Sequence, residues 1–196
     1  MLEALGLEVA GPATLRLEQC LRFPWRGGLH PWLDAVVETA DAIVAIESKR
    51  YEPFRSGKRA GFSSAYLRPV WGTDMERFLA QRDLLMSAGG LYASLDAVQL
   101  VKHALGLATQ ARKRRKRAIL VYLHAEPEAR PDGRPITAEK IVSHRHERDR
   151  FAAAVADDYV AFHVTDYRRL IMNLAASADP AVRLHAERVL ERFAPL

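Results

Sequence analysis

The chain has 196 residues, 49% of them hydrophobic, and a formal charge of +5, a mild bias toward polyanionic partners. That length supports one ordinary domain with a sizeable core, and no apolar run approaches the roughly 18 residues of a membrane span. The single Cys20 excludes an internal disulfide and a cysteine-based metal site, the N-terminus does not read as a secretory signal, and both point to a cytoplasmic protein.

Residues 14–23 alternate apolar and polar side chains between Gly11-Pro12 and Pro24, which predicts a strand. Arg26-Gly27-Gly28 reads as a turn. Residues 32–39 and 42–49 form a second and a third strand, and the third is rich in Ile, Val and Ala, as a strand inside a sheet is. Together the three make a meander. Residues 51–72 carry Arg, Gly and Ser with scattered aromatics and read as a long loop, and long ordered loops are usually functional. A helix over 74–86 follows, with Thr73 as its N-cap. A helix over 94–105 comes next: Leu95, Val98, Val101 and Leu105 continue a helical spacing that begins at Leu91, and Gly106 is the stop. Residues 118–123 are a short buried strand, 137–157 a long polar helix and 159–164 a fifth strand. Asp166 caps a helix over 167–176, and Pro180 opens the last one. A meander followed by helix-linked strands implies an α/β fold, a mixed sheet flanked by helices in a single domain.

The chemistry concentrates where the second and third strands meet. A hairpin centred between Ala40 and Asp41 sets Thr39 opposite Ala42, Val36 opposite Ala45 and Asp34 opposite Glu47. Side chains alternate along a strand, so Glu47, Lys49 and Asp34 share a face. Turns of odd length would shift this register by one residue and send Asp34 to the other face. Two carboxylates directly opposed repel each other, and a divalent cation removes the conflict. Mg²⁺, with Mn²⁺ as a substitute, takes few oxygen ligands from a protein; Asp34, Glu47 and the Ser48 carbonyl would supply them. Lys49 would orient the attacking water or stabilise charge on a phosphoryl group.

These residues resemble the PD-(D/E)XK nuclease superfamily: Pro31 and Asp34, twelve residues, then Glu47-Ser48-Lys49. The string Ile46-Glu47-Ser48-Lys49-Arg50-Tyr51-Glu52-Pro53 looks like a restriction-endonuclease-like subgroup, as do Asp96, Gln99, Lys102 and His103. The resemblance implies a core of a helix, a three-stranded meander, a helix and a fourth strand over about 1–124, with 125–196 as an extension. It implies a Mg²⁺-dependent nuclease acting on DNA, with Asp34, Glu47 and Lys49 catalytic and Gln99 assisting. Here Pro31 and Asp34 are not adjacent, and only residues 1–7 precede the first strand region, so the opening helix is short or absent. That shortage favours a non-enzymatic nucleic-acid-binding protein of the same fold, or a homodimer whose partner completes the site. Glu18 is either a substitute for the acid of that opening helix or simply a residue of the first strand.

Gln99 and His103 share a helix face, which is either turned to the site or simply solvated. Arg50, Arg55, Lys58 and Arg59 interleave with Tyr51, Phe54, Phe62, Tyr66 and Trp71, as on a surface that grips phosphates and stacks bases; the same aromatics would also pin the loop to the domain. The run Arg112-Lys113-Arg114-Arg115-Lys116-Arg117 is either a further phosphate contact, through Lys113 and Arg114, or a solvated loop. His144 and His146 lack a third metal ligand and read as a polar helix face.

Overall fold

In the hairpin at the centre of the fold, β2 (Trp32–Glu38) and β3 (Ala42–Lys49) run antiparallel, with Val36 paired to Ala45 and Ala35 to Ile46. The turn is closed by Thr39, whose hydroxyl accepts from Ala42 N–H at 3.1 Å and donates to Asp41 Oδ1 at 2.9 Å. This computed structural model describes residues 1–9, 11–25, 29–55, 61–88 and 90–193. The turn expected at Arg26-Gly27-Gly28 lies outside them.

β1 (Thr14–Cys20) pairs antiparallel with β2, whereas β4 (Arg117–His124) and β5 (Val160–Asp166) extend the sheet in parallel beyond β3. The result is one mixed sheet in the order β1-β2-β3-β4-β5. On one face Val36, Ile43, Ala45 and Leu120 pack beneath α1 (Glu76–Ser87), α2 (Ala97–Arg114) and α3 (Ala138–Ala154). On the other, Val37, Val44, Ile46 and Val121 are covered by Leu2 and Leu5 of the N-terminal turn and by Tyr167 and Leu170 of α4 (Tyr167–Ala175). Then α5 (Pro180–Phe193) packs on α4 through Ala186 and Ile171. The protein is therefore α/β, with helices flanking both faces of the sheet. Among the described residues no helix is long and apolar enough to cross a membrane.

Several local expectations are corrected. Gly106 does not stop α2, which runs on to Arg114. A Cβ on Gly106 would stand 2.7 Å from Pro31 Cγ and 3.1 Å from Leu21 Cβ, so the glycine is there for close packing. The helix ends instead at Arg115, whose φ of 54° is left-handed. The basic run is accordingly the last turn of α2 and the start of β4, not a loop. Thr73 does not cap α1; it begins a 3-10 turn, Thr73–Met75, ahead of it. His144 is not on a solvated face: it is 0% exposed and shares a hydrogen bond of 2.9 Å with the Tyr122 hydroxyl.

Candidate active site

Along β3 the backbone groups of alternate residues face β2, beginning with the Ala42 carbonyl, which accepts from Thr39 N–H at 3.0 Å. Continued to the end of the strand, that alternation offers Ser48 N–H to the Leu33 carbonyl. The ladder stops earlier, at Ala35 and Ile46. Ser48 N–H donates instead to Asp34 Oδ2, at 2.6 Å. On the outer side β2 also loses its partner at this point: pairing to β1 skips Asp34 and Glu18, and Glu18 has a φ of 48°. Glu18 is exposed, in an irregular position of the strand. Asp34 thus sits in a gap in the sheet, with its carboxylate turned toward β3.

Glu47 follows the same register one pair beyond Ala35 and Ile46, so it comes opposite Asp34. It is 2% exposed, and its Oε1 is in contact with Lys49 Nζ. Among the described residues its Oε2 has no hydrogen-bond partner. Burial lifts the Glu47 pKa to about 7; Lys49 pulls against the shift, while the charges on Asp34 and Asp96 add to it. Burial pulls Lys49 down, but the Glu47, Asp34 and Glu52 carboxylates outweigh it and hold its pKa above the ordinary lysine value. Ser48 N–H points toward β2 and its carbonyl leaves the strand on that same side, whereas the Lys49 carbonyl faces β4 and accepts from Ala125 N–H at 2.9 Å. Asp34 is thus joined to the Ser48 backbone, and the neighbouring Glu47 is in contact with Lys49.

His103 of α2 reaches the site: its Nδ1 is 3.3 Å from Glu47 Oε2, and among the described residues both atoms lack a hydrogen-bond partner. Burial, with Lys49 and Lys102 nearby, drives His103 down to about 3, so it is neutral, and the Trp32 carbonyl takes its other ring N–H. Two lone pairs consequently face each other unless a proton or a cation lies between them. Helical spacing left His103 either turned to the site or solvated; the tertiary fold turns it to the carboxylates. Gln99 lies one turn earlier and lines a neighbouring cleft with Asp96 and Lys102, with no side-chain bond to the carboxylates. Tyr167, whose hydroxyl is 2.6 Å from Ser48 Oγ, carried no signal in the sequence, being 119 residues away. Glu52 accepts from the N–H groups of Arg50 and Tyr51, at 2.9 Å each, and closes the turn after β3.

The basic residues divide between two ends of the sheet. Arg50 and Arg55 flank the 3-10 turn Glu52–Phe54, directly after Lys49. Arg50 is held down: it donates to the Phe193 carbonyl at 2.8 Å and lies over the Tyr51 and Phe193 rings. Arg55 is exposed. Lys58 and Arg59 lie outside the described residues. Lys113 and Arg114 are exposed near the start of β4, where Arg117 pairs with Ala42, roughly 17 Å along the strand from Glu47. Most of that run is ion-paired: Arg114 and Lys116 to Glu38 at 3.0 and 2.9 Å, Arg117 to Asp41 at 2.7 Å and Arg112 to Asp74.

Among the described residues no group of three or more His, Cys, Asp and Glu stands together as a metal cluster. Comparison with protein-family models, curated proteins and solved structures found no match.

Proposed function

We propose that this protein is a metal-dependent nuclease that hydrolyses phosphodiester bonds in DNA. One observation carries the reading: among the described residues Glu47 Oε2 is buried without a hydrogen-bond partner, opposite an Asp34 carboxylate set into a gap in the sheet. A buried carboxylate oxygen left unpaired is costly, and a hard cation would satisfy it. Asp34, Glu47 and the Ser48 carbonyl fit a Mg²⁺ or Mn²⁺ ion, which takes one or two carboxylates and keeps its remaining positions for water and phosphate. When bound, such an ion supplies Lewis-acid polarisation of the phosphate. Lys49, on the same sheet face, positions the attacking water and stabilises charge gathering on the phosphoryl oxygens. The order of meander, helix and parallel strand supports a restriction-endonuclease-like core over 1–124, and DNA as the substrate rests on that resemblance.

The second reading is a non-catalytic nucleic-acid-binding protein of the same fold. It is favoured by the contact of Lys49 with Glu47, which balances the carboxylate without a cation.

The test is cleavage of plasmid, linear duplex and single-stranded DNA in Mg²⁺, Mn²⁺ or EDTA by wild type and Lys49→Ala. The expected result is cation-dependent cleavage that falls about a hundredfold or more in Lys49→Ala, while DNA binding survives. Equal cleavage by the two proteins would assign the activity elsewhere, and DNA binding without cleavage would select the second reading.

A further inference from the structure

A cleft of about 400 Å³ opens beside the carboxylates, lined by His30, Trp32, Tyr66, Asp96, Gln99 and Lys102 among others. Its volume lies in the range of small-ligand sites. Trp32 is the first residue of β2 and is 59% exposed. A single exposed indole means little by itself. This one lies in a cleft whose polar groups have hydrogen-bonding capacity to spare. Asp96 spends Oδ1 on Gln99 N–H at 3.0 Å, and among the described residues neither its Oδ2 nor the Gln99 side-chain amide has a partner. His30 accepts from Phe23 N–H at Nδ1, at 3.1 Å, which leaves Nε2 as its donor. Lys102 is tethered to the Gly61 carbonyl at 2.8 Å, over the Phe62 and Tyr66 rings. His103 is a wall shared with the carboxylate site, touching the Trp32 carbonyl on one side and Glu47 on the other.

A flat aromatic face, an amide that both donates and accepts, and a carboxylate that only accepts match the face and the edge of a nucleobase. A base paired within a duplex hides its ring face in the stack and its Watson–Crick edge in the pair. We propose that this cleft is a nucleobase subsite, in which Trp32 stacks the base and Asp96 and Gln99 read its edge. The strand that reaches Asp34 and Glu47 is then single-stranded at that nucleotide. This rests on the reading of those carboxylates as the nuclease centre, whose phosphate the subsite would hold in place through the attached nucleotide.

The experiment measures binding in EDTA, where no cleavage occurs, by fluorescence anisotropy of a labelled short single strand and of its duplex. The proteins are wild type, Trp32→Ala, Trp32→Phe and Gln99→Ala. Stacking of one base predicts that Trp32→Ala weakens single-strand binding about tenfold, that Trp32→Phe retains most of it, and that duplex binding does not change. Gln99→Ala weakens binding in a way that depends on the base offered. Unchanged single-strand affinity in folded Trp32→Ala, an equal loss on duplex, or no single-strand binding by wild type overturns the subsite. Cation-dependent cleavage with a Trp32-independent KM keeps the nuclease and removes the subsite. Trp32-dependent binding without any cleavage keeps the subsite and removes the nuclease.

Discussion

Asp34 Oδ2 takes the Ser48 N–H at 2.6 Å, in the place where the hairpin register would put the Leu33 carbonyl. One carboxylate thus ends the β2–β3 ladder and offers its charge beside Glu47. The two roles separate by substitution. Asp34→Asn keeps an acceptor for Ser48 and should hold stability within about 1 kcal/mol of wild type, yet lose Mn²⁺ binding and cleavage. Asp34→Ala should lose both and cost about 1–3 kcal/mol, because Ser48 N–H is left unpaired. Denaturant unfolding and Mn²⁺ titration check this. Full cleavage by Asp34→Asn would remove Asp34 from the metal set.

Acid should unfold the protein through its buried histidines. Burial, the first cause in each, lowers His103 to about 3, His124 to about 4 and His144 to about 3, against an ordinary 6.5. Their contribution is complete above 6.5 and is lost as pH falls toward the folded values, because the unfolded chain takes up protons that the fold refuses. Each costs about 1.4 kcal/mol per pH unit across that window. Glu47 has the opposite sign: with a folded value near 7 against 4.5, it gains stability as pH falls between the two and offsets one histidine. Denaturation midpoints from pH 6.5 to 4.5 should decline, and His144→Gln should flatten the decline by about 1.4 kcal/mol per unit. An unaltered slope in His144→Gln would show that the ring is protonated inside the fold.

Gly106→Ala should destabilise the protein although it sits in the middle of a helix. Alanine gains about 1 kcal/mol in helix propensity, but its Cβ would meet the Pro31 ring at 2.7 Å. Shifting a ring fixed in the chain costs about 1–3 kcal/mol, so the net change is a loss. Chemical denaturation measures it, and a more stable variant would mean that Pro31 yields freely.

Glu147 of α3 accepts from the N–H groups of Ala93, Ser94 and Leu95, at 2.7 Å each, and so anchors the segment that leads into α2. Its removal in Glu147→Ala should cost about 3 kcal/mol. Because Asp96 is the N-cap of α2 and Gln99 and His103 lie on it, single-strand binding should fall with it. Urea unfolding of the variant checks the first part; a change below about 1 kcal/mol would mean that water replaces the carboxylate.

The two basic regions should differ in their effect on DNA binding. Arg55→Ala, beside the site, should reduce the log–log salt slope by about 0.9 for a short duplex and about 0.7 for a single strand. Lys113→Ala with Arg114→Ala should leave it unchanged, because these residues lie at the far end of the sheet and Arg114 is already paired with Glu38. A lower slope in the double variant would run the DNA along the length of the sheet.

The run Ala42-Ile43-Val44-Ala45-Ile46 announced a central strand, and alternation on either side of Ala40-Asp41 placed Asp34 opposite Glu47. Asp166 and Pro180 likewise marked helix starts that the fold has. These features follow from local periodicity and chain connectivity, which neighbouring residues determine by themselves. Only the tertiary structure decided that Gly106 lies within α2, since the need for a missing Cβ arises from Pro31 and Leu21 packing against it. It also decided that His144 is buried, that Tyr167 meets Ser48 and that Lys113 and Arg114 lie far from the carboxylates. The gap at Asp34 is of the same kind: hydropathy records which face a residue prefers, but whether its side chain replaces a backbone acceptor depends on how three strands diverge at one point.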